Sequence, residues 1–340
     1  MRNLKEKLIT LYKYLSFGNS IRIDASAVCQ LQCPVCKTWP KRLGVGSGSL
    51  KFEDFEKFVD QYPNFKKIEL SNSGEIFLNP FIDEIIKYSY EKGISLSANN
   101  GVNLNNISEE TIENLVKYRF NSISVSIDGA TDNVYKIYRI KGNFNQIINN
   151  IKRINYYKTK YSTEFPKLNW QFIIFGHNED EIPLARRLAK ELGMTFRLEF
   201  NTDPAYSPVK NKEFVRAQAG FSSQSEYEHE VNTKRNLGVC DSFWLQPQIN
   251  WDGRLLGCCC NSVPFSANVF KSSLKQGLKS NDYVYAKKML SGKVGPRKDI
   301  PCFYCDVYKW RLAKKCFVRL TDVNIFFKRI FTLLQRLLKF

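Results

Sequence analysis

Apolar positions along this chain follow two alternating periods. Short runs rich in β-branched and aromatic residues, at 21–25, 67–71, 94–98, 122–127, 170–175 and 195–200, read as strands. Between them the apolar positions recur every three to four residues, at 52–62, 80–91, 109–118, 143–156 and 181–192, the stripe of an amphipathic helix. Helix and strand in rotation predict repeated βα units around a parallel sheet. The six strands fit an α/β fold, an open, partial (β/α)6 barrel over residues 20–201. Ligands of such sheets gather at the carboxyl ends of the strands. Residues 29–36, 73–75, 99–101 and 128–129 all fall just past a predicted strand, so one shared site is expected there.

The ends follow other patterns. Residues 1–19 carry Leu4, Leu8, Leu11 and Leu15 on one stripe, an expected helix over 3–17. Residues 202–239 lose periodicity, are polar and hold two prolines, which reads as a linker. Residues 240–316 form a small cysteine-rich unit, expected as a β-hairpin plus helix. Residues 317–340 close the chain as a basic amphipathic helix, with Phe326, Ile330, Leu333 and Leu337 on one face and Lys328, Arg329 and Arg336 on the other. Such a helix lies on an anionic membrane or packs on the barrel or a partner.

Composition narrows the class. Hydrophobic residues make up 43% of the chain, enough to exclude disorder and to bury a large core. The formal charge of +18 favours anionic partners, and membrane contact at the inner face is the expectation from the two basic helices. The charge is spread along the chain with no RNA-binding motif, so nucleic acid is not an expected partner. No run of eighteen apolar residues and no secretory h-region occur, which predicts a cytoplasmic protein. In that reducing compartment clustered cysteines bind metal more often than they form disulfides.

The cluster with most chemistry is CQLQCPVC, holding Cys29, Cys33 and Cys36. Three thiolates suit a 4Fe–4S cluster with one iron left open to a cofactor. A three-cysteine zinc or buried-thiol site is the alternative. The C-x3-C-x2-C spacing after the first strand of a βα series resembles the radical S-adenosylmethionine (SAM) superfamily. Ser73-Gly74-Glu75 resembles the family's G-G-E segment, and SLSANNG, with Asn99, its third-strand end. SVSIDGATDNVYKIYR resembles the fourth-strand segment of members with an extra C-terminal cluster domain. The resemblance spans roughly residues 20–310. It implies that Ser73, Gly74, Glu75 and Asn99 contact SAM, that Ser126 and Asp128 lie near its ribose, and that Arg139 lies near its carboxylate. Two positions depart from the pattern: Val35 stands where an aromatic residue usually packs by the adenine, and Ser73 replaces a glycine.

Cys240, with C-x12-G-x4-C spacing to Gly253 and Cys258, resembles the opening of a twitch/SPASM accessory domain. Asp252-Gly253 reads as the turn of a hairpin. Cys302 and Cys305 add a C-x2-C pair, giving four thiolates for one auxiliary 4Fe–4S cluster. A full SPASM run would place a further cysteine where Arg311 stands, so the single-cluster twitch form is the better match. Cys259, Cys260 and Cys316 are left over, and a zinc ribbon is the alternative for the unit.

The resemblance implies an enzyme with SAM and two 4Fe–4S clusters, one binding SAM and one auxiliary. It would use a flavodoxin or ferredoxin-type electron donor and a 5′-deoxyadenosyl radical to abstract hydrogen. A small-molecule oxidoreductase is expected, oxidising or epimerising a sugar, aminocyclitol or lipid-linked envelope precursor. The stretch before Cys29 is too short for a separate peptide-recognition domain, which places a peptide maturase second, ahead of an RNA-modifying enzyme. Glu199 is a candidate substrate contact and His177 a candidate acid or base, while packing is the expectation for Tyr135 and Tyr138.

Overall fold

The computed structural model describes residues 19–36, 44–203, 205–227, 229 and 240–318. The helices expected at 3–17 and 324–340 lie outside the described residues.

The strands are β1 (Ser20–Ile23), β2 (Lys67–Glu69), β3 (Ser95–Val102), β4 (Ser122–Ser126), β5 (Lys167–Ile174), β6 (Thr195–Phe200) and β7 (Gln248–Ile249). Their order in the sheet is β6-β5-β4-β3-β2-β1-β7, and every pairing is parallel. The first six strands are the expected open barrel, each beside its predecessor. Every residue of β4 is buried, as a parallel strand covered on both faces requires.

Helices α1 (Phe52–Gln61), α2 (Ile82–Glu91), α3 (Glu109–Lys117), α4 (Asp132–Tyr138), α5 (Phe144–Lys160) and α6 (Ile182–Glu191) fill the crossovers. Their apolar stripes face the sheet. In α1 the buried set is Phe55, Phe58 and Val59, spaced three and four apart. Side-chain caps fix several starts: Ser108 accepts from the Thr111 amide at 3.0 Å, and Asn143 from that of Gln146 at 3.0 Å.

One reading changes and one is extended. The stretch expected as a linker contains helix α7 (Lys212–Ala219), capped by Asn211 and ended by Gly220 in the left-handed region. Its single buried residue, Val215, gives too little apolar periodicity to betray it. The expected hairpin forms: Asn250 and Gly253 close its turn, and the antiparallel bridge Ile249–Leu255, with the Asn250 amide donating to Arg254 and the Leu256 amide to Gln248, joins its arms. The incoming arm also pairs with β1 as the seventh strand, which the sequence pattern does not indicate.

That pairing ties the cysteine-rich unit to the barrel. Gln248 receives a hydrogen bond from Arg22 and donates one to Asp24, both at 3.0 Å. Phe58 of α1 packs edge-on to Phe270, and one continuous core runs through both regions. Helices α8 (Asn281–Leu290) and α9 (Asp306–Ala313) complete the unit.

Candidate active site

The carboxyl ends of the strands enclose a cavity of ≈ 390 Å³. Cys29, Cys33 and Cys36 line it from the loop after β1; Gly74 and Glu75 follow β2, and Ser126 and Arg139 come from β4 and the end of α4. With Asn100 and Gly101 of β3, Gln171 and Ile173 of β5 and Glu199 of β6, six strand ends meet at one place, as the sequence pattern requires. Val35 lines the cavity too.

The cysteine loop is held from below. Gly74, at φ +66°, lies so close to it that an added Cβ would fall 2.6 Å from the Ser26 carbonyl oxygen and 2.7 Å from that of Val28. The Glu75 amide donates to that same Val28 oxygen at 2.7 Å. Burial pushes the Glu75 carboxyl up to about 7, against the pull of amides from Asn103 and Phe77 that donate to it. Burial likewise pushes the Cys29 thiol up to about 11 and raises that of Cys33.

Asp128 does not line the cavity. It is fully buried, accepts from the Ile173 amide at 2.7 Å and pairs with Arg139 Nε at 2.5 Å. The residue expected near a ligand is therefore the clamp that aims its neighbour. Burial works against the Arg139 cation, but Asp128 and Cys33 outweigh it and keep the guanidinium charged. Arg139 Nη1 lies 3.6 Å from Cys33 Sγ, and the guanidinium lies over the Tyr138 ring.

Two more expected residues stand back from the cavity. Ser73 is buried, with its backbone bonded to Asp24, and Asn99 donates its amide to Glu69 at 2.9 Å. The strand runs on past Asn99 to Val102, so Asn100 and Gly101 reach the cavity instead. Gly101, at φ +112°, leaves Ser126 Oγ open: a Cβ there would lie 2.5 Å from it and 3.3 Å from Gln171 Oε1.

The far wall is polar. Gln171 Nε2 donates to Glu199 Oε2 at 2.9 Å, which turns the buried Gln171 Oε1, without a hydrogen-bond partner among the described residues, away from the carboxylate. Glu199 also pairs with Arg197. Glu69, the buried last residue of β2, accepts from Ser71 and Ser97 hydroxyls at 2.6 and 2.7 Å and ties the ends of β2 and β3 together. Glu69, Asn103 and Gln171 lie in apolar-rich strands or their extensions, and their only sequence signal is a polar residue at a buried register. His177 bonds Ser207 at 2.7 Å, stacks on Phe175 and does not line the cavity. Tyr135 is fully buried, as expected, whereas Tyr138 lines the cavity.

The second cysteine group lies in the C-terminal unit. Cys240, Cys258 and Cys302 are each about 4% exposed, and Cys305 is half-buried. Cys240 and Cys302 act on Cys258 electrostatically, and Cys305 acts on Cys240 and Cys302. Cys258 is the buried member of its run, while Cys260 is exposed. Among the described residues no three Cys, His, Asp or Glu side chains are closed to metal-ligand geometry. No helix among them is long and apolar enough to cross a membrane.

The chain is similar to Streptococcus suis SuiB bound to S-adenosylmethionine, with a TM-score of 0.61, 16% identity, and coverage of 91% of this chain and 76% of that one. It is also similar to anSMEcpe with bound AdoMet and Kp18Cys peptide, with a TM-score of 0.55, 16% identity, and coverage of 86% and 87%. These likenesses show a shared fold. A comparison with curated proteins finds no sequence match. Residues 24–188 match the family model described as Radical SAM superfamily. That segment holds the cysteine loop, Glu75, Ser126 and Arg139, and the chain thus carries a radical SAM domain, whose cofactors are SAM and a 4Fe–4S cluster.

Proposed function

We propose that this enzyme oxidises or epimerises a hydroxylated small molecule, a sugar, an aminocyclitol or an envelope precursor carrying one. The observation that carries the reading is the polar far wall of the cavity, where Gln171, Glu199 and Thr202 offer hydrogen-bond acceptors to a hydroxylated substrate.

The residues around the cavity fit the family's cofactors. Cys29, Cys33 and Cys36 would hold the cluster, and Arg139, kept charged by Asp128, would face the SAM carboxylate. The cradle over Ser126 that a Cβ on Gly101 would fill suits the ribose. Bound together, cluster and SAM supply a radical that removes hydrogen from an unactivated carbon. The chain's own part is to orient and enclose. Gly74 and Glu75 hold the cysteine loop down, and Tyr138 packs at a tilt against Phe175 with centroids 4.4 Å apart, an apolar wall that excludes water.

The C-terminal thiols fit an auxiliary 4Fe–4S cluster held by Cys240, Cys258, Cys302 and Cys305. Beside Cys302, Tyr308 Oη is buried with no hydrogen-bond partner among the described residues, a donor that cluster sulfur would accept. Such a centre would take the electron left when an abstracted substrate also loses a proton. The alternative is peptide maturation, motivated by the fold shared with SuiB, whose structure with precursor peptide SuiA is similar at a TM-score of 0.59.

The test supplies reconstituted enzyme, SAM and a strong reductant with deuterated amino-polyols and sugars, or with a deuterated peptide library. Deuterium in 5′-deoxyadenosine from the polyols and sugars supports the reading. Deuterium from the peptides alone would replace it with maturation.

A further inference from the structure

Helix α9 buries two polar residues, Tyr308 and Arg311, and both lie against the C-terminal thiols. Spaced three apart, they share one face of the helix. A buried face made of a phenol and a guanidinium is the reverse of the usual amphipathic pattern. Arg311 is 1% exposed. Its Nη1 donates to the Cys316 carbonyl at 3.0 Å, which the turn after α9, with Lys315 at φ +51°, carries back over the helix. The same guanidinium hydrogen-bonds the Cys240 thiol. Arg311 also occupies the position at which the longer cysteine run would have placed a thiolate, so a negative ligand position is filled by a permanent cation.

We propose that Arg311 is a redox-positioning residue: its buried guanidinium, bonded to Cys240, favours the reduced form of an auxiliary cluster held by Cys240, Cys258, Cys302 and Cys305. This rests on the auxiliary-cluster reading above. Reduction adds one electron, and hence one negative charge, to the cluster. A fixed cation in a buried setting stabilises that added charge far more than it would in water. Tyr308 adds a neutral donor beside Cys302, and the two residues together make α9 the polar wall of the unit.

The experiment uses the full chain, reconstituted anaerobically, with iron and zinc counted first and the one-electron couples then titrated with dithionite and followed by electron paramagnetic resonance. Wild type with about eight irons establishes the auxiliary cluster. About four irons, with or without one zinc, would overturn that reading and this proposal together, before any variant is made. With eight irons, Arg311→Met lowers the reduction equilibrium constant of the auxiliary couple about tenfold, ~59 mV for one electron, and leaves the SAM-binding cluster unmoved. Arg311→Lys, which keeps the charge, stays near wild type. An auxiliary couple unchanged in Arg311→Met, or a fall as large in Arg311→Lys, would overturn the proposal. Should Arg311→Met fail to hold its iron, the lysine variant decides on its own: a couple near wild type supports the charge, and one lowered tenfold refutes it.

Discussion

Gly74→Ala should damage the active site through the backbone alone. Two costs can be separated. The first is conformational: φ at Gly74 is +66°, where a side chain costs about 1 kcal/mol. The second is steric. The new Cβ would lie 2.6–2.8 Å from the Ser26 oxygen, the Val28 oxygen and the Ala27 carbonyl carbon, all of them backbone. None can rotate away, so the cysteine loop or the turn after β2 must move by several tenths of an ångström, an overpacking cost of about 1–3 kcal/mol. Gly93 supplies the control, since its φ is +65° and a Cβ there meets nothing within 4 Å. Gly93→Ala should therefore lose about 1 kcal/mol in urea unfolding and Gly74→Ala about 2–4 kcal/mol. Iron bound per chain after reconstitution should fall in Gly74→Ala only. Equal losses in the two variants, with iron unchanged, would refute the claim that Gly74 is required by close approach to the cysteine loop.

Other outcomes follow from the same geometry. Asp128→Asn leaves the Arg139 cation buried without its carboxylate and should cost about 3–5 kcal/mol, together with weaker SAM binding by calorimetry; a loss below about 1 kcal/mol would contradict the clamp. Ser108→Ala removes the cap of α3 and should cost about 1 kcal/mol in the same unfolding assay, with no change in bound iron. Burial, aided by Lys210, lowers the His177 pKa below its usual 6.5, so the unfolded chain takes up this proton first as pH falls. Stability contributed there is present above pH 6.5 and is lost below it. His177→Gln should flatten that part of the stability–pH curve, and an unchanged slope between pH 7 and 5 would count against it.

The βα rotation was legible because the two periods differ so plainly: SISVS in β4 and the Phe55, Phe58, Val59 stripe in α1 admit one reading each. The cysteine loop was legible from spacing. What periodicity could not resolve lies past the strand ends. Whether Asn99 or Gly101 meets the cavity depends on how far β3 runs, and the register shift between Ala98 and Val102 decides that. Asp128 sits where a ligand contact was expected, but the aim of its side chain depends on Arg139, eleven residues on. The pairing of β7 with β1 was missed because the hairpin arm was legible from its turn alone, while β1 lies more than two hundred residues away.

The central claim, that this cavity performs radical SAM chemistry, is tested most directly by SAM cleavage. Anaerobically reconstituted protein with dithionite should convert SAM to 5′-deoxyadenosine, and Cys33→Ala should abolish that product along with about four irons. A wild-type chain that binds its iron yet releases no 5′-deoxyadenosine, or a Cys33→Ala chain that cleaves SAM as well as wild type, would contradict the account.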